Sequence, residues 1–356
     1  MFAICGRAPL LLASRAASRT LAPTPALSRN ILRLLPRTQP SIRYYARPPR
    51  STRAHKSNKP SPPPTPPSVA AESNITQPAT GDRLIDRVWA AGQLSQHDTP
   101  PAMSSAQRLL RPTLFTLLVV GGSLIYAYNW TAPAPSERLF PTVPLAFSTV
   151  ATIMALNVGV FVAWRIPLPF TWRILNRYFV SVPAIPHAAS MLGCAFSHQS
   201  FSHLGLNMVV LYCFGTNLCE QIGAGPFIGL YLSGGVLSSL ASLAYNVVRQ
   251  RFNVASLGAS GAIATLVGIY AVVNPDAELY VIFLPFIMFK AKVLVTLLAM
   301  VETLGIVRGW TIVDHVAHLS GLGWGVVSGY ALLAEYKRRL ERKRKELEEK
   351  KWLGWW

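Results

Sequence analysis

Ser260 lies in the segment SLGASGAIATLVG (Ser256–Gly268), inside a stretch from Phe252 to Pro275 that carries no Asp, Glu, Lys or Arg. A serine in such surroundings is either a small residue that lets helices pack or a nucleophile. A nucleophilic serine needs a base within hydrogen-bond reach, and histidine is the usual one. Of the seven histidines, His198, His203, His315 and His318 fall in apolar sequence. Asn207 follows His203 by one helical turn and shares its face. Hydroxyl, imidazole and carboxamide together suit acyl transfer: the serine attacks, a histidine takes its proton, and side-chain N–H groups hold the oxyanion. The motif is not the Gly-x-Ser-x-Gly elbow of soluble hydrolases, because Ala262 occupies the last position.

These residues can meet only if the elements that carry them run to the same depth. A bilayer span needs roughly 20 apolar residues. The sequence offers Pro112–Trp130 and Leu139–Trp164, then a polar loop around SHQSFSH followed by a helix from about Phe201. Further stretches are Gln221–Val248, Ser256–Asn274, about Ala291–Val307 and about Thr311–Leu333. The first stands apart from the other six, a one-plus-six arrangement in an all-α membrane protein, since every backbone group must be satisfied within lipid. Numbering the last six from 1, His203 and Asn207 begin span 2, Ser260 begins span 4 and His318 lies early in span 6. Even-numbered spans run in one direction, so all four residues come to a similar depth near one membrane face. Ala317, Gly321 and Gly325 give span 6 a small face, and Gly258, Gly261 and Ala262 do the same for span 4. Close approach along these faces would bring Ser260 to His318.

Composition agrees with a membrane setting. Charged residues are 14% and hydrophobic residues 51% of the 356-residue chain. The net charge of +19 is gathered at the ends: 12 of the 34 basic residues precede Pro60 and nine follow Tyr336. That pattern suits targeting and membrane surfaces and gives no basic groove for nucleic acid. Residues 1–71 contain no Asp or Glu and repeat Arg among Ala, Ser and Leu, the composition of a mitochondrial presequence. The expected organisation is a presequence over 1–59, a Pro-rich and polar linker over 60–110, an extra transmembrane helix over 111–131, a six-helix core over 139–335 and a basic tail over 336–356. Cys5, Cys194, Cys213 and Cys219 show no CxxC spacing, and the three in apolar segments read as free buried thiols.

HQSFSHLGLNM, SLGASGAI and DHVAHLSGLGWG together resemble the rhomboid family of intramembrane serine proteases over roughly residues 110–335. The presequence, IFLPF and the one-plus-six count resemble its mitochondrial inner-membrane branch, the presenilin-associated rhomboid-like type. The resemblance implies Ser260 as nucleophile and His318 as general base, a dyad without an acid. It implies an oxyanion hole from the Ser260 N–H, His203 and Asn207, with His198 as a further polar position beside it. It also implies substrates that are single-span membrane proteins, contact with inner-membrane lipid, and no cofactor or metal. Many bacterial relatives carry Tyr four residues after the serine, stacked on the histidine; here that position is Ala264, and something else must orient His318. Asp314, four residues before His318, is a candidate, and it equally suits a helix N-terminus. His315 reads as a structural partner at the span edge. The rival readings are a catalytically inactive scaffold that binds membrane helices, a metal or haem protein using the four histidines, and a transporter. The absence of H-E-x-x-H weakens the metal reading, and the absence of broken repeat pairs weakens the transporter.

Overall fold

The computed structural model describes Ile4–Cys5, residues 100–281, residues 284–352 and Gly354. The expected presequence and linker lie outside the described residues, apart from Ile4–Cys5 and the linker's last residues. The described chain is mostly helical.

Helix α1 (Ser105–Asn129) begins seven residues before Pro112, where the hydropathy pattern had placed its start. A capping box outranks the proline there: Ser104 Oγ accepts from the Gln107 N–H at 3.3 Å, and Gln107 Oε1 accepts from the Ser104 N–H at 2.8 Å. The turn before Pro112 also carries Arg108, which is buried. Its guanidinium donates to the carbonyls of Pro183 (2.9 Å), Ala184 and Pro101 (2.7 Å) and lies 4.4 Å from the centre of the Phe252 ring. Four hydrogen-bonding or stacking partners for one buried cation fasten α1 to the loops of the core.

Helix α2 (Leu145–Ala163) starts after Pro144, later than the expected Leu139, because Pro141 and Pro144 bar an earlier helix. An amphipathic helix α3 (Pro169–Tyr178) and one short turn, α4 (Ser190–Gly193), fill the loop before Phe201. Helix α5 (Phe201–Ile222) begins where the sequence suggests, with Ser200 Oγ accepting from the His203 N–H at 3.2 Å. Helices α6 (Ala224–Val248), α7 (Ser260–Val273), α8 (Ala291–Arg308) and α9 (His315–Trp352) complete the set. α6 is deeply enclosed and touches α1, α7 and α9.

Among the described residues, four helices are long and apolar enough to cross a membrane: α1, α2, α6 and α9; α7 is apolar but shorter. The helices outside that set are informative. α5 carries His203 and Asn207, and α8 carries Glu302. α7, at 14 residues, is about 21 Å long against a hydrocarbon core of ~30 Å, too short to cross it from face to face.

Two further features lie outside the expected spans. The YVIFLPF region forms an antiparallel β-hairpin, β2 (Glu278–Val281) with β3 (Leu284–Lys290), in register from Glu278↔Lys290 to Tyr280↔Met288 with a shift before Val281↔Leu284. β1 (Ile4–Cys5) pairs on the other edge of β2. The hairpin's residues form an unbroken apolar run from Leu279 to Phe289, a pattern that periodicity alone does not assign to strand or helix. The last helix also does not stop at Leu333. α9 runs 38 residues through the charged tail. Charge ends contact with lipid but not the helix, and pairs such as Arg339–Glu335 (3.0 Å) and Arg344–Glu348 (2.9 Å) at i,i+4 spacing support it.

Candidate active site

The contact between α7 and α9 is the most extensive in the structure. It is made by small residues in register. A Cβ on Gly325 would lie 2.1 Å from the Thr265 carbonyl oxygen, one on Gly321 would lie 2.3 Å from that of Gly261, and one on Gly268 would lie 2.6 Å from that of Leu322. Thr265 Oγ1 donates across the seam to the Gly321 carbonyl at 3.1 Å. The small face expected on span 6 is therefore used, at Gly321 and Gly325. On the α7 side its partners are Gly261, Thr265 and Gly268, while Gly258 serves elsewhere. Ala264, where bacterial relatives carry Tyr, is buried against the Gly321 position in this seam.

Backbone contact of this kind fixes the tops of both helices. It brings His318 Nε2 to 2.8 Å from Ser260 Oγ, across 58 residues of chain. Both side chains are buried, Ser260 at 9% and His318 at 4% exposure, so the hydrogen bond is not shared with bulk water. Ser260 is the first residue of α7, and its backbone N–H has no partner four residues back in the helix. As a first-turn N–H it belongs to the positive end of the helix dipole.

The loop ahead of Ser260 is shaped by histidines. Gly258 has φ of +132°, a conformation glycine tolerates. A Cβ there would also meet the His203 ring at 2.8 Å, so backbone and imidazole are in direct contact. The Gly258 N–H donates to the Cys194 carbonyl at 2.8 Å, and the Ala259 N–H donates to His198 Nε2 at 3.4 Å. His198 is wholly buried, with its ring 4.9 Å from that of His203. The residues next to Ser260 thus rest on His198 and His203. Asn207, one turn further along α5, is buried; its Nδ2 donates to the His203 carbonyl at 2.8 Å. A carboxamide nitrogen carries two hydrogens, so a second N–H remains for another acceptor.

Asp314 does not orient His318. Its carboxylate caps α9 by accepting from the Ala317 N–H at 3.0 Å, and its Oδ2 accepts from the hydroxyls of Ser242 and Ser256, both at 2.5 Å. The helix-terminus reading of that residue is the one the structure takes. The carboxylate beside His318 is Glu302 of α8: Oε1 lies 3.0 Å from His318 Nδ1, and Oε2 lies 2.6 Å from His315 Nδ1. Glu302 is 7% exposed, and His315 packs over Gly305 of the same helix. A dyad without an acid was expected; a carboxylate stands at hydrogen-bond distance. The sequence did hold a signal for it: Glu302 is the single acid in the apolar stretch Ala291–Val307, and intramembrane carboxylates are costly enough to suggest a role by default.

A Rhomboid domain model matches residues 186–335, which include every residue named in this cluster. The chain is 39% identical over 179 residues to the human presenilin-associated rhomboid-like protein, mitochondrial, a match covering 50% of this chain and 47% of that one. It is 32% identical over 239 residues to rhomboid protein 1, mitochondrial, of Saccharomyces cerevisiae, covering 65% and 67%. The Arabidopsis thaliana RHOMBOID-like protein 12, mitochondrial, is 29% identical over 188 residues, covering 48% and 54%. The chain spans about half the length of the presenilin-associated relatives it matches. Mitochondrial relatives and several apolar helices make this a multi-pass protein of the mitochondrial inner membrane. With a matching domain over its site and a yeast relative aligned across most of its own length, the chain belongs to the rhomboid family.

Proposed function

We infer that this protein is an intramembrane serine endopeptidase that cleaves single-span proteins of the inner membrane. The observation that carries the reading is the 2.8 Å contact between His318 Nε2 and Ser260 Oγ at the buried N-terminus of a helix. In the reaction, Ser260 Oγ attacks the scissile carbonyl carbon while its proton passes to His318 Nε2. The carbonyl oxygen becomes an oxyanion, and the Ser260 N–H, the His203 imidazole and the free Asn207 N–H are the donors for it. When the C–N bond breaks, His318 returns the proton to the leaving amine and an ester on Ser260 remains. Water, deprotonated by the same imidazole, then hydrolyses the ester and restores the serine. His198 supports the loop that holds the Ser260 backbone. α1 is the helix added to a six-helix core, and residues 1–59 are a presequence removed on import.

A fluorophosphonate probe reports the activated serine without any substrate. Purified protein in liposomes should label at Ser260, and Ser260→Ala should not label. A well-folded wild-type protein that resists the probe would instead favour the inactive scaffold that binds membrane helices.

Asn207 makes a graded prediction. It supplies one hydrogen bond to a charge that exists only in the transition state, and removing one such donor costs about 2.7–4 kcal/mol, or ~10²–10³ in rate. Asn207→Ala should lose that much kcat with KM little changed, measured on a single-span reporter in proteoliposomes. Wild-type rates would remove Asn207 from the oxyanion hole and leave the dyad standing.

A further inference from the structure

We propose that Glu302 is the positioning residue of this site: it holds His318 as the Nδ1–H tautomer with Nε2 turned to Ser260, and it does so from a third helix. The inference rests on the protease reading of the Ser260–His318 pair.

The geometry leaves little choice of tautomer. A carboxylate accepts hydrogen bonds and donates none, so the 3.0 Å contact between Glu302 Oε1 and His318 Nδ1 requires the proton on Nδ1. The lone pair then lies on Nε2, at 2.8 Å from Ser260 Oγ, where a base must have it. The alternative tautomer would bring a bare Nδ1 against a buried carboxylate oxygen and put a second donor against the serine.

His315 fixes the carboxylate in turn. Its Nδ1–H donates to Oε2 at 2.6 Å, and its Nε2 is buried with no partner, which suits a neutral ring protonated on Nδ1. Both carboxylate oxygens are thereby engaged, and the carboxyl plane cannot turn away from His318. One histidine a turn before the other on α9 makes a fork, and Glu302 fits between its prongs. When Nε2 receives the Ser260 proton, the imidazolium forms 3.0 Å from an anion already in place, with no solvent reorganisation required.

The charged and titratable surroundings favour no other partner. α7 presents Ser260, α5 presents the His203 ring beside Gly258, and α9 presents His315. Asp314 has its oxygens taken by Ser242, Ser256 and the Ala317 N–H. An aromatic ring at position 264 would orient His318 by stacking; here Ala264 leaves that task to a hydrogen bond.

The test uses full-length protein in liposomes with a single-span reporter. Glu302→Gln keeps the shape and removes the charge. Its kcat should fall by about 10⁴, the scale seen when a serine-protease histidine loses the carboxylate that sets its tautomer, with KM unchanged. Fluorophosphonate labelling of Ser260 should slow in parallel. Glu302→Asp, which retains the carboxylate, should recover part of the loss. A Glu302→Gln protein that cleaves within threefold of wild type overturns the proposal. So does one whose entire loss follows from a lower folded fraction, with normal kcat per folded molecule. Nitrogen-15 NMR of histidine-labelled wild-type protein gives a check that needs no Glu302 variant: His318, assigned by comparison with His318→Gln, should show a protonated Nδ1. A protonated Nε2 with bare Nδ1 overturns the proposal. Ser260→Ala in the same assay separates the two readings, since its retained activity defeats the protease reading itself, whereas an inert Ser260→Ala beside an active Glu302→Gln defeats only the role of Glu302.

Discussion

Ser260→Ala is expected to bring cleavage of a membrane reporter to background, and His318→Ala to do nearly the same. The two side chains lie 2.8 Å apart, and on the proposed reading the proton passes between them, so loss of either removes the same step. In serine proteases the loss of nucleophile or base alone costs about 10⁶ in kcat, close to 8 kcal/mol of transition-state stabilisation, and the double variant is no worse. That non-additivity is the sharper signature. If the residues acted independently, the double variant would fall by the product of the two losses. Both substitutions shorten buried side chains at the tops of helices whose seam lies deeper, so folding should survive, and circular dichroism in the same proteoliposomes checks it. Cleavage at the wild-type rate by a folded Ser260→Ala protein would end the protease reading.

Gly325→Ala is expected to be among the most damaging single methyl groups that can be added to the described core. The new Cβ would sit 2.1 Å from the Thr265 carbonyl oxygen, with the Thr265 Cα and C at 3.0 and 2.9 Å. Overpacking typically costs ~1–3 kcal/mol because flexible neighbours move aside. Here the neighbour is backbone in a helix, so α7 and α9 must separate, and the Ser260–His318 contact opens with them. The expected result is a melting temperature lowered by many degrees and lost activity. Gly323→Ala is the control two residues away. Nothing lies within 4 Å of its added Cβ, so melting should be unchanged or raised, since alanine is the better helix former. Equal melting of Gly325→Ala and wild type would show that the seam is looser than described.

Ser260, His203, Asn207 and His318 could be placed at one depth by counting apolar stretches, because hydrophobic length is nearly all that a bilayer demands of a helix. The structure adds the distance between Ser260 and His318, which counting does not supply. Glu302 escaped attention for a physical reason. A carboxylate that accepts from two imidazoles leaves no sequence period behind, since its partners lie on another helix at separations of 13 and 16 residues. Asp314 looked better placed because i,i+4 spacing is visible in one dimension, yet the same spacing suits a helix cap. The hairpin at Glu278–Lys290 falls between two counted spans, and its unbroken apolarity carries no strand period by which to recognise it. The run of α9 beyond Leu333 was hidden because charge was taken as a helix stop, whereas Glu, Lys and Arg are good helix formers.

The length of α9 has a mechanical meaning. Its glycine seam clamps the helix at Gly321–Gly329, with His318 on one side and the charged end on the other. At 1.5 Å per residue the short arm from Gly325 to His318 is about 10 Å, and the long arm to Trp352 is about 40 Å. That is a lever with a ratio of roughly four to one. Insofar as the helix is stiff, a swing of about 4 Å at Trp352 moves the imidazole by about 1 Å, a displacement that can cost ~10² in rate at a catalytic centre. A stiff helix pivoting at this seam would carry a motion of the charged tail to the imidazole scaled down about fourfold.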